Sequence, residues 1–296
     1  MRFSAPITCV RVAVAALAWG LLAAPGSTST IIARDATAVR LEVDGQRRAL
    51  VTYQQAGTRR HVLAWAGING QTEMRLDYSG GSRSFGASLW ESFDDRSRPY
   101  DGPRLAWLVT ARKAPDGSYW ALQRWRRLLP NQGRPPAGPL ASAWELHLSH
   151  WRGPIPKLSI WLDWIDQGAT VHLFGRYTYR GKGVFGHGNT PAGNPLDPYG
   201  RNIYLDTRNS LYGPGWEREA SFLTHKPGGT FCFGFYPRGA VAGTGDRYRA
   251  TAIGPGAAPD PYWEALSLGA YDPAHDRVLD EVADGVVGDD PRCQSR

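Results

Sequence analysis

The chain has little cysteine, methionine or lysine: three, two and four residues of 296. Three cysteines exclude a disulfide-dense scaffold. The absence of Cys-x-x-Cys and of His-Glu-x-x-His removes the common zinc signatures. Without a Gly-x-Ser-x-Gly elbow there is no local mark of a hydrolase nucleophile. No alanine-rich or leucine-rich helical stretch follows the N-terminal segment before residue 260. The one long apolar run, Val12 to Ala24, has 13 residues, short of the roughly 20 that cross a bilayer.

That run, preceded by Arg2 and Arg11 and followed by Ala24-Pro25-Gly26, makes residues 1–26 a secretory signal peptide with cleavage expected after Gly26. Cys9 lies before the run, so the lipoprotein arrangement is absent. The expectation is a secreted or extracytoplasmic protein with no stable membrane insertion after cleavage; an uncleaved N-terminal anchor is the alternative. Export leaves Cys232 and Cys293, which are expected to pair as one disulfide tying the tail to the body. On the chain-entropy account, closing that loop stabilises by about 4 kcal/mol. The other reading makes Cys232, between Phe231 and Phe233, a buried thiol.

The net charge is +7. Loss of Arg2 and Arg11 leaves +5, and residues 271–296 hold seven acids against three arginines, so the body carries about +9. A basic body suits an acidic glycan, a cell-wall polymer, a membrane surface or a nucleic acid, and equally a merely solubilising surface. Export argues against nucleic acid. Arginine makes up 30 of the 34 basic residues, a bias that high-GC coding produces without selection for phosphate contact.

What the chain does have is turn chemistry: 35 glycines and 22 prolines, clustered in segments such as Ala114-Pro115-Asp116-Gly117 and Lys226-Pro227-Gly228-Gly229. Between them lie strand patterns. Ala38–Val43, Ala49–Gln54 and His61–Ile68 read as a three-strand meander around Asp44-Gly45 and Ala56-Gly57-Thr58. Further strands are expected at 74–78, 105–111, 119–128, 144–151, 158–165, 171–179 and 202–207, with the 105 and 119 strands joined as a hairpin. This spacing without intervening helices predicts an all-β fold, a single large antiparallel β-sandwich of jelly-roll size over residues 34–270. Division near Asn131–Pro139 into two smaller β domains is the alternative. Asp272-Pro273 reads as a cap and first-turn proline opening a short acidic C-terminal helix within 271–296, with Val278, Leu279, Val282 and Val286 near helical spacing.

Trp107, Trp120 and Trp144 fall in strand patterns and are expected in the core. Trp216, between Gly213-Pro214-Gly215 and Glu217-Arg218-Glu219, reads as a loop aromatic that either stacks on a sugar ring or packs. Glycoside cleavage needs two carboxylates across the scissile bond. The candidates are Asp206, Glu217 and Glu219, which otherwise pair with Arg201, Arg208 and Arg218 to fix the loop. Asp163 and Asp166 flank Trp164 but take opposite faces of a regular strand. So do His147 and His150, which makes them poor co-ligands; His187, in the glycine-rich loop Phe185–Asn189, reads as a loop imidazole able to act as a general base or simply solvated, and His225 has polar and glycine-rich neighbours. Calcium through Asp206 and Asn209 lacks a recognised ligand loop, so neither metal nor cofactor is expected.

The segments GRNIYLDTRNSLYGPGWEREASFLTHKPGGTFCFGFYP and YDGPRLAWLVTARKAPDGSYWALQRW resemble a family of uncharacterised exported bacterial proteins. The resemblance spans most of the mature chain and implies one exported domain, with no activity or site residue attached. The functional expectation is a secreted protein that binds an extracellular or cell-wall polysaccharide through Arg201, Asp206, Tyr212, Trp216 and Glu219. The alternatives are a glycan-active hydrolase using the paired carboxylates and a structural envelope protein.

Overall fold

Short strands closed by tight turns pair with their neighbours in sequence, and this local rule builds most of the structure. A computed structural model describes residues 29–66, 68, 72–75, 93–126, 143–165, 168, 170–185, 202–208, 216–224, 226, 228–235, 247–254 and 258–287. After β1 (Thr30–Arg34), the strands β2 (Thr37–Val43), β3 (Arg48–Gln55), β4 (Thr58–Ala66) and β5 (Thr72–Arg75) form an antiparallel meander in that order. Its register, Leu41↔Val51 and Val51↔Val62, puts the apolar set on one face. A second sheet has the order β1, β9 (Trp144–Trp151), β8 (Tyr119–Arg126), β7 (Leu108–Lys113), β6 (Arg98–Pro99). The Pro-Asp-Gly hairpin forms between β7 and β8 as its sequence requires. These two sheets enclose one core, in which Leu41, Val51 and Val62 meet Trp120, Leu122, Leu146 and Leu148.

A second pair of sheets encloses another core. β10 (Lys157–Ile165) pairs with β11 (Thr170–Tyr179), and β11 pairs in turn with β12 (Lys182–Gly183) and β15 (Thr230–Phe235). Opposite lies the order β14 (Trp216–Phe222), β13 (Ile203–Arg208), β16 (Arg247–Ala252), β17 (Tyr262–Leu266). Leu162, Leu173, Tyr177, Ile203, Leu205 and Tyr248 fill the space between them. The fold is therefore the all-β antiparallel sandwich that the turn spacing predicts. Asn131–Pro139 lies outside the described residues.

β8 and β9 are buried almost throughout, because both of their faces are covered. One face meets the meander; the other carries Gln123, Trp125, His147 and Ser149 against Ile253, Ala258 and Asp260 of the second pair of sheets. One helix is described, α1 (Pro273–Val287), with Asp272 Oδ1 accepting the Ala274 N–H as a cap. It packs on β10, β11 and β15.

Candidate functional site

β13 offers alternate residues to two environments. Ile203 and Leu205 enter the apolar core, while Tyr204 and Asp206 face the first pair of sheets. Asp206 is fully buried. Its Oδ1 lies 3.1 Å from Nη2 of the buried Arg218 on β14, and its Oδ2 accepts from Arg249 on β16 at 3.1 Å from Nε and 2.9 Å from Nη2. A β-bulge between Leu205 and Asp206 sets this register, pairing Asp206 with Arg218 and leaving Glu219 as the extra residue. The guanidinium of Arg218 lies 4.3 Å from the Tyr204 ring, and that of Arg249 lies over Trp216 at 4.4 Å and over Trp107 at 5.2 Å. Asp206 thus anchors two cations beneath a layer of aromatic rings.

A second buried cluster joins the two pairs of sheets. Asp260 accepts from Ser29 Oγ, from the Gly254 N–H at 3.1 Å and from Trp125 Nε1 at 3.2 Å, and lies 3.4 Å from His147 Nδ1. Burial pushes its carboxyl above the usual range, against the pull of His147. His147 also meets Glu145 at 3.3 Å, and Glu145 pairs with Arg34 at 3.1 Å. Ser29, His147 and Glu145 have the composition of a nucleophilic triad. All three are enclosed, and the Ser29 hydroxyl is turned to Asp260, so this arrangement holds the junction together and offers no approach to a substrate.

Above these clusters opens a cleft of about 730 Å³. Its walls are residues 104–107 before β7, residues 155–159 entering β10 and residues 259–262 entering β17. Gln123 fastens two of them: its Nε2 donates to the carbonyls of Ala106 at 3.0 Å and Asp260 at 2.9 Å, and its Oε1 accepts the Asp260 N–H at 2.9 Å. Trp107 stands at the cleft with φ of 49°, a conformation that bulky residues seldom adopt. It is fixed there by the Arg124 N–H to its carbonyl at 3.0 Å, and by ring contacts with Tyr262 at 5.0 Å and Trp125 at 5.9 Å. Trp107 is partly exposed and Tyr262 is 41% exposed. Arg104, Lys157 and Ser159 add exposed polar groups.

Of the residues expected at a site, Arg201, Tyr212, Asn209, His187, His225 and Asp166 lie outside the described residues, as does Cys293, while Cys232 sits on β15 opposite Phe174. Glu217 and Glu219 are placed by backbone alone, Glu217 opposite Thr207. Trp216 begins a strand where a loop was expected. Asp206 and Trp216 do come together, through Arg249. The two guanidiniums at Asp206 leave no room for the calcium contact considered with Asn209. Trp107 meets the core expectation in part, packing half-buried against Trp125, Tyr204 and Ile253 while also lining the cleft, whereas Trp144 is 44% exposed with Arg124 and Arg126 over its ring. Trp120 is fully buried as expected, stacked on His150. The cleft residues gave no sequence signal as a group, since they come from three segments far apart in the chain. No protein-family model matches the chain, and no curated protein or solved structure is found to be similar to it.

Proposed function

We propose that the protein is an exported, non-catalytic binder of an anionic glycan, and that the cleft at Trp107 and Tyr262 takes the sugar. The observation that carries this reading is Trp107, a tryptophan kept partly exposed in a left-handed backbone conformation at the mouth of a 730 Å³ cleft. Backbone strain of about 1–3 kcal/mol persists only where the surroundings enforce it, and it clusters at ligand sites. The indole and the Tyr262 phenol offer apolar faces for the C–H side of a pyranose. Arg104 and Lys157 supply the positive charge, while the carboxyl of Asp260 is turned into the protein. The hydrolase reading has less support, because Asp206 and Asp260 are both enclosed.

Isothermal titration with oligogalacturonate and with neutral malto-oligosaccharides of equal length tests the proposal, with reducing ends assayed in parallel. The expected result is salt-sensitive binding of the acidic ligand, weakened at least tenfold in Arg104→Ala/Lys157→Ala, with no new reducing ends. Preference for the neutral ligand, or release of reducing ends by the wild type, would overturn it.

A further inference from the structure

The C-terminal helix docks with the wrong side inward by the usual rule. Val278 and Val282 are 53% and 48% exposed, while Asp276 and Asp280, one turn apart, face the sheet. There they meet Asp163 of β10, and one carboxylate oxygen from each of the three lies within 4.8 Å of the others. Asp163 has no exposed surface. Its Oδ1 accepts the Trp164 N–H at 2.7 Å, its Oδ2 is buried with no N–H donor, and the side chains that meet it at hydrogen-bonding range are the carboxylates of Asp276 and Asp280. Asp276 Oδ1 and Asp280 Oδ1 are likewise buried without an N–H donor. The groups that act on Asp163 and Asp276 are one another, Asp280, Tyr271 and His275, and the Tyr271 hydroxyl hydrogen-bonds Asp276. His172 on β11 is the cross-strand neighbour of Asp163.

We infer that Asp163, Asp276 and Asp280 form a divalent-cation site of the calcium class that fastens α1 to the sandwich. Three converging carboxylates repel one another and lose hydration on enclosure, so a cation between them stabilises the docked helix. Calcium takes carboxylate oxygens at about 2.4 Å, so one ion spans oxygens up to about 4.8 Å apart and fills its remaining positions with water. Magnesium, with bonds of about 2.1 Å and a strict octahedral demand, fits such a spread less well. The turn between β10 and β11 supports the arrangement: Gly168, at φ 86°, lets the Tyr271 ring lie where a Cβ would stand 2.5 Å from Cγ, and Tyr271 in turn packs edge-on against Trp164 at 6.3 Å. The sequence hid this site because its ligands come from a strand and a helix far apart in the chain.

Trp164 also supplies the probe, since an indole this close sensitises terbium emission. Titrating the chelator-treated full chain with Tb³⁺ is expected to give saturable emission with one ion per chain, displaced by calcium at lower concentration than by magnesium, and reduced at least tenfold in Asp163→Asn. Asp280→Asn, on the exposed helix, gives a second variant should Asp163→Asn fold poorly, with circular dichroism confirming the fold of each. Emission that calcium fails to displace, or that survives in a folded Asp280→Asn, would overturn the site. Displacement by magnesium at equal or lower concentration would overturn the calcium assignment.

Discussion

Replacing Asp206 with asparagine keeps the shape of the side chain and removes the charge that Arg218 and Arg249 share. Arg218 is fully buried, whereas Arg249 retains 11% side-chain exposure and can regain water. The cost is therefore set by Arg218, and removing one partner of a buried ion pair costs about 3–5 kcal/mol. Against a total stability of about 5–15 kcal/mol, the variant should have a fifth or more of its margin gone. For a chain of this size, a urea m-value of about 3 kcal/mol/M turns that into a midpoint lowered by about 1–1.7 M. The double variant Asp206→Asn/Arg218→Met should recover part of the loss, because the charge left stranded is then gone as well. Urea unfolding followed by tryptophan fluorescence measures both. A midpoint within 0.3 M of wild type, at unchanged m, would refute the placement of Asp206 as an enclosed anchor and return it to the list of carboxylates able to meet a ligand.

Other substitutions probe the cleft and the junction. Trp107→Gly should be more stable than Trp107→Ala by about 1 kcal/mol in urea unfolding, reversing the usual order, because only glycine takes a positive φ freely; both should lose glycan binding. Gln123→Leu leaves the carbonyls of Ala106 and Asp260 and the Asp260 N–H without their partner, so a loss of about 2–4 kcal/mol is expected, together with faster amide exchange in residues 104–107 and 258–262. In calcium-free buffer, burial and then the neighbouring Asp280 and Asp276 raise the Asp163 carboxyl from 3.8 to about 7. A raised acid binds its proton more tightly folded than unfolded, so stability should fall as pH rises from about 4 to about 7 and level off above. Thermal melts should show that fall in wild type, and less of it in Asp163→Asn. Mass spectrometry of the unreduced protein should find the Cys232 and Cys293 peptides linked if the chain is exported and loses Cys9 with its signal segment.

Much of the β architecture was legible because its signals are local. The Asp44-Gly45 and Pro115-Asp116-Gly117 turns each join strands that alternate on at least one side, and the Asp272-Pro273 cap opens a helix where it predicts one. β14 escaped because its inward face carries Arg218, whose burial depends on an aspartate in another strand, so the hydrophobic period breaks where the ion pair begins. The helix was legible in position, and its facing was not read from the sequence. Its valines mark an apolar stripe, yet the packing side is set by carboxylates that meet Asp163 across the chain. The partial exposure of Trp107 at the cleft was not legible, because a positive φ leaves no trace in composition.

Hydrogen–deuterium exchange of the wild-type protein with and without saturating oligogalacturonate tests the central claim most directly. The account predicts slowed exchange in residues 104–107, 155–159 and 259–262, the three walls of the cleft, with the meander of β2, β3 and β4 unchanged. Protection confined to other segments, or none under conditions where the ligand binds, would contradict the assignment of the Trp107 cleft as the binding site.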